Sequence, residues 1–212
     1  MSTLRTLSKF HSRLQGGGAR PNLFEVRLDA FPAAALNSSP KATWGKTEQE
    51  DFSILCKAAN LPASNIASID VPFRGRTLKV AGDRTIDNWT VTIINDEDFR
   101  MRNAFEAWMN AIARLSNNTG ATNPDSYMVD AEVHQLGRGY SGNKHSKKNS
   151  DTAGDTKVTP LKSYKFIDIF PVAVSSIDLS YDSSDTIEEF TVEFAVQSFE
   201  SLSSDQTNVN LK

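Results

Sequence analysis

Apolar and polar residues alternate along the central third of the chain, which is the pattern of strands with one buried face. Every second residue is apolar from Ile69 to Phe73, and the alternation returns at Leu78–Val80 and Trp89–Ile93. Two glycine-containing segments, Arg74–Arg76 and Ala81–Arg84, separate these runs and are typical of turns. The pattern therefore predicts three half-buried strands in succession.

The period changes after the third run, and an amphipathic helix is predicted from about Asp96 to Leu115. Asn95 is the expected N-cap, and the acidic residues after it suit the positive end of the helix dipole. Turn-forming residues from Ser116 to Pro124 end the helix. Its apolar stripe comprises Met101, Phe105, Trp108, Met109, Ile112 and Leu115.

Alternation elsewhere predicts more strands, and their number defines the fold class. About eight strands and one good helix indicate a mostly β protein, a sandwich or barrel of two packed antiparallel sheets with one flanking helix. We divide the chain into an arm (1–20), one domain (21–200) with long loops at about 30–51 and 137–160, and a flexible tail (201–212). The further strands are expected at Asn22–Asp29, Ser53–Ala59, Tyr127–Gln135, Ser163–Phe170, Ser176–Tyr181 and Glu189–Phe199.

Several short segments of the sequence resemble those of one known family. VPFRGR, KVAGDRT, NWTVTIINDED and RNAFEAW, between Val71 and Trp108, are similar to tail tube proteins of contractile-tailed (myovirus, T-even-like) bacteriophages. ARPNLFEV, LCKAANLP and the stretch from Phe170 to Gln197 match the same family in the expected order. The chain departs from the family, by being longer, at Asp29–Asp51, at Gly137–Pro160 and after Glu200.

The resemblance implies a structural protein of the virion. The implied fold is two packed sheets with a flanking helix, and each subunit would lend four strands to a shared hexameric ring. Stacked rings would form the inner tail tube, which is the conduit for DNA ejection inside a contractile sheath. The implied partners are further copies of the chain, the tail sheath protein, the baseplate and tail terminator proteins, and the tape measure protein and transiting DNA in the lumen. Assembly in the host bacterial cytoplasm is expected, with no cofactor and no membrane.

Charge is distributed unevenly along the chain, although the net charge is only -3. Residues 1–20 hold four basic residues and no acidic one, whereas residues 178–200 hold seven acidic residues and no basic one. The two segments could attract each other within a subunit or between copies, or both could be hydrated surfaces. The first segment also resembles a mitochondrial presequence. A comparable segment precedes RPNLFEV in the family, which favours an arm that docks on a neighbouring subunit.

The composition offers little support for catalysis or metal binding. The single cysteine, Cys56, excludes an intrachain disulfide, and no apolar run of about 18 residues predicts a transmembrane helix. The glycines of Gly137–Gly142 fit GxGxxG, but a polar stretch follows where a dinucleotide site needs a helix. His11, His134 and His145 lack the spacing of zinc ligands. We therefore expect no enzyme, metal or cofactor.

Two groups of charged residues gain a role if the family resemblance holds. A tube lined by Lys and Arg would bind DNA phosphates, so an acidic lining is expected, and Asp130, Glu132 and Glu193 are its candidates. A register change of one residue would exchange the faces of each strand, so the sequence does not decide which face is inward. The candidates for contacts between subunits or rings, which could also be ordinary solvated charges, are Arg5, Arg13, Arg74, Arg76, Asp83 and Arg84.

Two other functions stay open from the residues alone. A tube subunit of a type VI secretion system or a related contractile injection system would share the fold. A soluble β-rich binding module is the alternative from another class.

Overall fold

The computed structural model describes residues 7–14, 18–28, 30–38, 42–137, 160–182 and 184–203. Eight strands lie in two sheets, a six-stranded sheet of order β1-β6-β7-β8-β5-β2 and a two-stranded sheet of β3 and β4. In chain order the elements are α1 (Leu7–Arg13), β1 (Phe24–Arg27), α2 (Ala33–Leu36), α3 (Lys46–Leu55), β2 (Cys56–Ala59), β3 (Ser64–Phe73), β4 (Arg76–Ile86), β5 (Trp89–Ile94), α4 (Arg100–Ile112), a 3-10 turn (Pro124–Ser126), β6 (Val129–Gln135), β7 (Lys162–Val174) and β8 (Glu189–Ser203).

The contacts within the described chain divide it into two compact units. The larger unit contains residues 26–132 and 165–200, and therefore holds α2, α3, α4, the two-stranded sheet and most of the large sheet. The smaller unit takes the described residues of 1–25, 133–164 and 201–203, including α1 and one end of β6, β7 and β8.

The core of the larger unit is an aromatic contact between α4 and the large sheet. The ring of Phe105 lies 6.4 Å from that of Phe190 and 5.9 Å from that of Phe194, both on β8. Trp108, one turn further along α4, lies 6.0 Å from Phe194, and its indole N–H donates to the Tyr127 carbonyl at 2.8 Å. These side chains are almost fully buried, each contributing roughly 1.5–3 kcal/mol by burial. The predicted mostly β fold with a flanking helix is confirmed.

The segment predicted as a loop at about 30–51 contains helical structure instead. Helix α3 begins after Gly45, whose N–H donates to the Glu48 carboxylate at 2.7 Å. Hydrogen bonds from the backbone N–H groups of Glu48 and Gly45 lower the pKa of the Glu48 carboxyl. Phe52 is the one fully buried side chain of α3, and its ring lies 6.0 Å from Phe105. A helix that buries so little shows almost no apolar periodicity, so the pattern missed it.

Helix α4 is shorter than predicted, because the chain turns before it. Phe99 has a left-handed backbone with φ of 55°, so the helix begins at Arg100 and Asn95 is not its N-cap. The Asp96 carboxylate accepts from the Arg100 backbone N–H at 3.0 Å and from its Nε at 3.1 Å. The helix ends at Ile112, and Leu115 lies beyond it, exposed.

One predicted strand is wrong. The segment Ser176–Tyr181 alternates like a strand, but none of its residues joins a sheet. Leu179 and Tyr181, predicted to lie on its apolar face, are exposed. The long loop predicted at 137–160 and the tail at 201–212 fall mostly outside the described residues.

Replacing Phe105 by Ala should destabilise the fold by about 3–5 kcal/mol, because the substitution leaves a cavity among six aromatic neighbours. Urea unfolding of the unassembled protein measures this free energy. Ile54→Ala removes a side chain that is 78% exposed and serves as the control, with an expected change below about 0.5 kcal/mol. Equal stability of the two variants would contradict the assigned core.

Candidate assembly surfaces

The two-stranded sheet is one long hairpin. β3 has 10 residues and β4 has 11, and they pair antiparallel down to Phe73 opposite Arg76. At about 3.3 Å per residue the hairpin is about 33 Å long. Arg74 and Gly75 form the two-residue loop with φ values of 46° and 81°, both left-handed as a type I′ turn requires. The turn predicted here is confirmed.

One face of this hairpin is apolar and uncovered. Directly opposite residues share a face, so the register places Ile69 beside Val80 and Val71 beside Leu78. These four side chains and Phe73 are between 43% and 66% exposed. The prediction that these strands are half-buried is wrong for the single chain. Alternation reports that one face must be covered, but it carries no information on whether the same chain covers it.

The predicted second turn at Ala81–Arg84 is also absent, since β4 continues through it. The register shifts here, so that Gly82 and Asp83 lie opposite the single residue Ala67 and form a β-bulge. A Cβ atom on Gly82 would lie 3.1 Å from the Ala67 carbonyl oxygen, which favours glycine at this close approach. A glycine beside an acidic residue suits both a turn and a bulge, and the sequence did not distinguish them.

The charged residues predicted for subunit contacts lie on this hairpin, apart from the two in the arm. Arg74 is in the loop with its guanidinium 5.4 Å from the centre of the Phe73 ring, and Arg76, Asp83 and Arg84 lie along β4. Within the described part of the chain none of these four residues forms an ion pair. Of the arm residues, Arg13 is exposed at the end of α1, whereas Arg5 lies outside the described residues.

The three acidic residues predicted for the lumen lie on strand faces opposite buried side chains. Asp130 and Glu132 alternate on β6 with buried Ala131, and Glu193 on β8 follows buried Val192. All three therefore point away from the core, and their position in a lumen stays a prediction.

A lysine offsets part of this acidic charge. The ammonium group of Lys165 on β7 contacts the Asp130 carboxylate at 2.9 Å. This hydrogen bond, together with the charges of Asp130, Glu132 and Glu200, raises the pKa of Lys165. Glu193 accepts from the Asn88 side-chain amide at 2.7 Å. The face is thus polar and mixed in charge rather than purely acidic.

The remaining candidate residues offer no catalytic arrangement in the described part of the chain. His134 is partly buried, and its Nδ1 lies 2.9 Å from the Ser163 hydroxyl. Burial raises the pKa of the Cys56 thiol to about 12, so it is a poor nucleophile. No group of three or more His, Cys, Asp or Glu among the described residues could hold a metal ion. GxGxxG begins at Gly137 and continues beyond those residues.

No described helix is both long and apolar enough to cross a membrane. The exposed surfaces of the described chain include the β3–β4 hairpin and the edge strands of the large sheet, β1 and β2.

Comparison with known proteins identifies the family to which this chain is similar. The family described as phage tail tube protein matches residues 19–201. The tail tube protein gp19 of Enterobacteria phage T4 is 31% identical over 185 residues, covering 87% of this chain and 93% of the relative.

Two solved assemblies contain chains of similar fold. The tube-terminating cap of the anti-feeding prophage has a TM-score of 0.53 at 17% identity, covering 88% of this chain and 91% of that chain. The sheath-tube complex of the extracellular contractile injection system PVC also contains a chain with a TM-score of 0.53, at 12% identity, covering 91% of this chain and 97% of that one.

The T4 relative is a tail tube protein, which agrees with the resemblance of VPFRGR and the neighbouring segments to that family. By the family match over residues 19–201 and by this identity, the chain belongs to the phage tail tube protein family and is a structural protein of the phage virion tail.

Proposed function

We propose that this chain polymerises as stacked hexameric rings into the inner tail tube, the conduit for DNA ejection inside a contractile sheath. The observation that carries the proposal is the β3–β4 hairpin, whose apolar face has no cover within the described chain. The membership of the chain in the phage tail tube protein family indicates that the assembly is a tail tube.

The hairpin is suited to pair with other copies of the chain for two reasons. A lone two-stranded hairpin is marginally stable in water, so the β3–β4 hairpin, which is about 33 Å long, needs a partner for its apolar face. Its two edges also present unpaired backbone groups that pair readily with further strands. In a closed ring every copy covers the hairpin of its neighbour and no edge remains free.

The polar side of the same assembly suits a passage for DNA. The hairpin face opposite the apolar one carries Asp70 beside Lys79, with their charged atoms 4.0 Å apart, and Thr77 beside Pro72. Together with Asp130, Glu132 and Glu193 this gives a hydrated lining of mixed charge. Such a lining does not accumulate the Lys and Arg residues that would hold the phosphate backbone.

The proposal includes the domain division and the wider set of partners. Residues 1–20 act as an arm and 21–200 as the tube domain, whereas the tail predicted at 201–212 begins after β8, which ends at Ser203. The solved relatives are associated with a sheath and with a terminating cap, which supports sheath and tail terminator contacts for this chain. A baseplate, a tape measure protein and DNA in the lumen, and assembly in the host cytoplasm, complete the proposal, which requires no catalysis.

Val71→Lys should abolish tubes and leave the fold intact. The side chain is 43% exposed in the single chain, so the lysine remains hydrated there, but in a ring it would be buried without a partner. Electron microscopy of the purified protein shows whether tubes form, and thermal unfolding measures whether the fold is retained. Thr77→Lys, which adds the same charge to the opposite face, is the matched control and should still form tubes. Tubes of Val71→Lys as abundant as those of the parent would contradict the role of the hairpin.

Replacing both Asp130 and Glu132 by Lys should slow DNA ejection without preventing tube assembly. Each substitution exchanges a repelled charge for one that binds phosphate, and Lys165 would no longer be neutralised by Asp130. Release of DNA from virions built with the variant measures the rate. The double variant Asp130→Asn, Glu132→Gln removes the charges without adding new ones and should eject much faster than the lysine variant. An unchanged rate of DNA ejection by the lysine variant would contradict the assignment of Asp130 and Glu132 to the lumen.

A further inference from the structure

Most described residues of the acidic segment 178–189 are exposed, and three of them are large apolar side chains. Leu179, Tyr181 and Ile187 are all more than 70% exposed. A recess of about 430 Å³ lies beside Leu179 and Tyr181, which is enough room for a large apolar side chain. It is lined by Asp178, Leu179, Ser180, Tyr181, Thr186 and Glu188.

Part of the acidic charge of this segment is already used within the chain. Glu188 accepts from the Asn95 side-chain amide at 3.1 Å, and Glu189 forms an ion pair with Lys57. No basic side chain of the described residues pairs with the three remaining carboxylates, which are exposed. These are Asp178, Asp182 and Asp185.

Helix α1 presents the complementary surface. Leu7, Phe10 and Leu14 recur at helical spacing, and they are 83%, 64% and 45% exposed. Lys9 and Arg13 lie on one flank of this stripe and His11 on the other, also exposed. A helix of seven residues is marginal in isolation, so it needs a surface to pack against.

We propose that α1 of one copy docks on the 178–189 segment of a second copy. Its apolar stripe covers Leu179, Tyr181 and Ile187, with Phe10 in the recess. Lys9 and Arg13 face the exposed carboxylates. The charge complementarity of the two surfaces selects a second copy as the occupant, because every copy of the chain carries both.

The symmetry of this contact suits a polymer. Because the two docking surfaces are different parts of the chain, the contact is head-to-tail, and such contacts build rings or open helical arrays instead of closed dimers. The inference rests on the proposed function only in that the tube brings second copies within reach.

Charge reversal in two separate chains tests the contact. One variant carries Lys9→Glu and Arg13→Glu on the arm, and the other carries Asp182→Lys and Asp185→Lys on the segment. Each alone should raise the lowest protein concentration that gives oligomers by about tenfold, since two weak exposed pairs become repulsive at once. An equimolar mixture should assemble like the parent, because each arm then meets a segment of opposite charge on the other variant.

The readouts are sedimentation velocity for association and electron microscopy for tubes, with circular dichroism to check the fold. A variant with Lys46→Glu and Arg114→Glu has the same change in charge at exposed positions outside both surfaces and should assemble normally. Normal assembly of the single-surface variants would overturn the inference while leaving the tube intact. A mixture as defective as its components would also overturn it, and recovery in a chain carrying all four reversals would then place the contact within one copy. A parent that associates without forming tubes would instead count against the proposed function.

Discussion

A pair of strands cannot cover its own apolar face, and this constraint governs how the rest of the chain is used. Helix α4 covers the large sheet, and Trp89, Phe105 and Phe194 are fully buried there. That core is complete without the hairpin, so the apolar side chains of β3 and β4 remain uncovered in the single chain. The chain therefore divides into a part that folds on itself and a hairpin whose burial requires another molecule. Because the two parts share few buried side chains, folding can precede assembly, and a substitution can affect one process without the other.

The sequence predicted those elements that bury a face within the chain. β5, β8 and α4 each show a clean period because their buried residues recur with the geometry of the element. The sequence failed where burial does not follow that rule. Helix α3 buries only Phe52, so it has almost no periodic signal. The segment Ser176–Tyr181 has the period of a strand but pairs with no other strand in the described chain. The hairpin was predicted as two strands, but its exposure was not, since a pattern states which side chains need cover and does not state which chain provides it.

The same limit applied to the candidate residues. Asp130, Glu132 and Glu193 lie on strand faces opposite buried side chains, and their role in a lumen stays a prediction. The pairing of Asp130 with Lys165 joins residues 35 positions apart and leaves no local signal in the sequence. The two turns predicted for this region looked alike in sequence. Only the strand register shows that Arg74–Gly75 is a loop and that Gly82 lies in a bulge. Long-range pairing decides both points, and a single sequence reports it poorly. Family resemblance supplied the function because it draws on matching segments spread from Ala19 to Gln197.

Exposed charges in this protein set which surfaces meet, more than how tightly they hold. An exposed ion pair contributes only about 0.2–1 kcal/mol, so Arg76 and Arg84 on the hairpin cannot hold a polymer together by themselves. Apolar burial provides most of the association energy, at roughly 25 cal/mol per Å². That energy has no direction, and an uncovered hairpin could bury its face against many surfaces. Charged residues beside the apolar ones penalise the wrong registers, because each misplaced charge is either repelled or left without solvent. An ordered polymer of identical copies requires both terms, and the described surfaces carry the apolar and the charged side chains together.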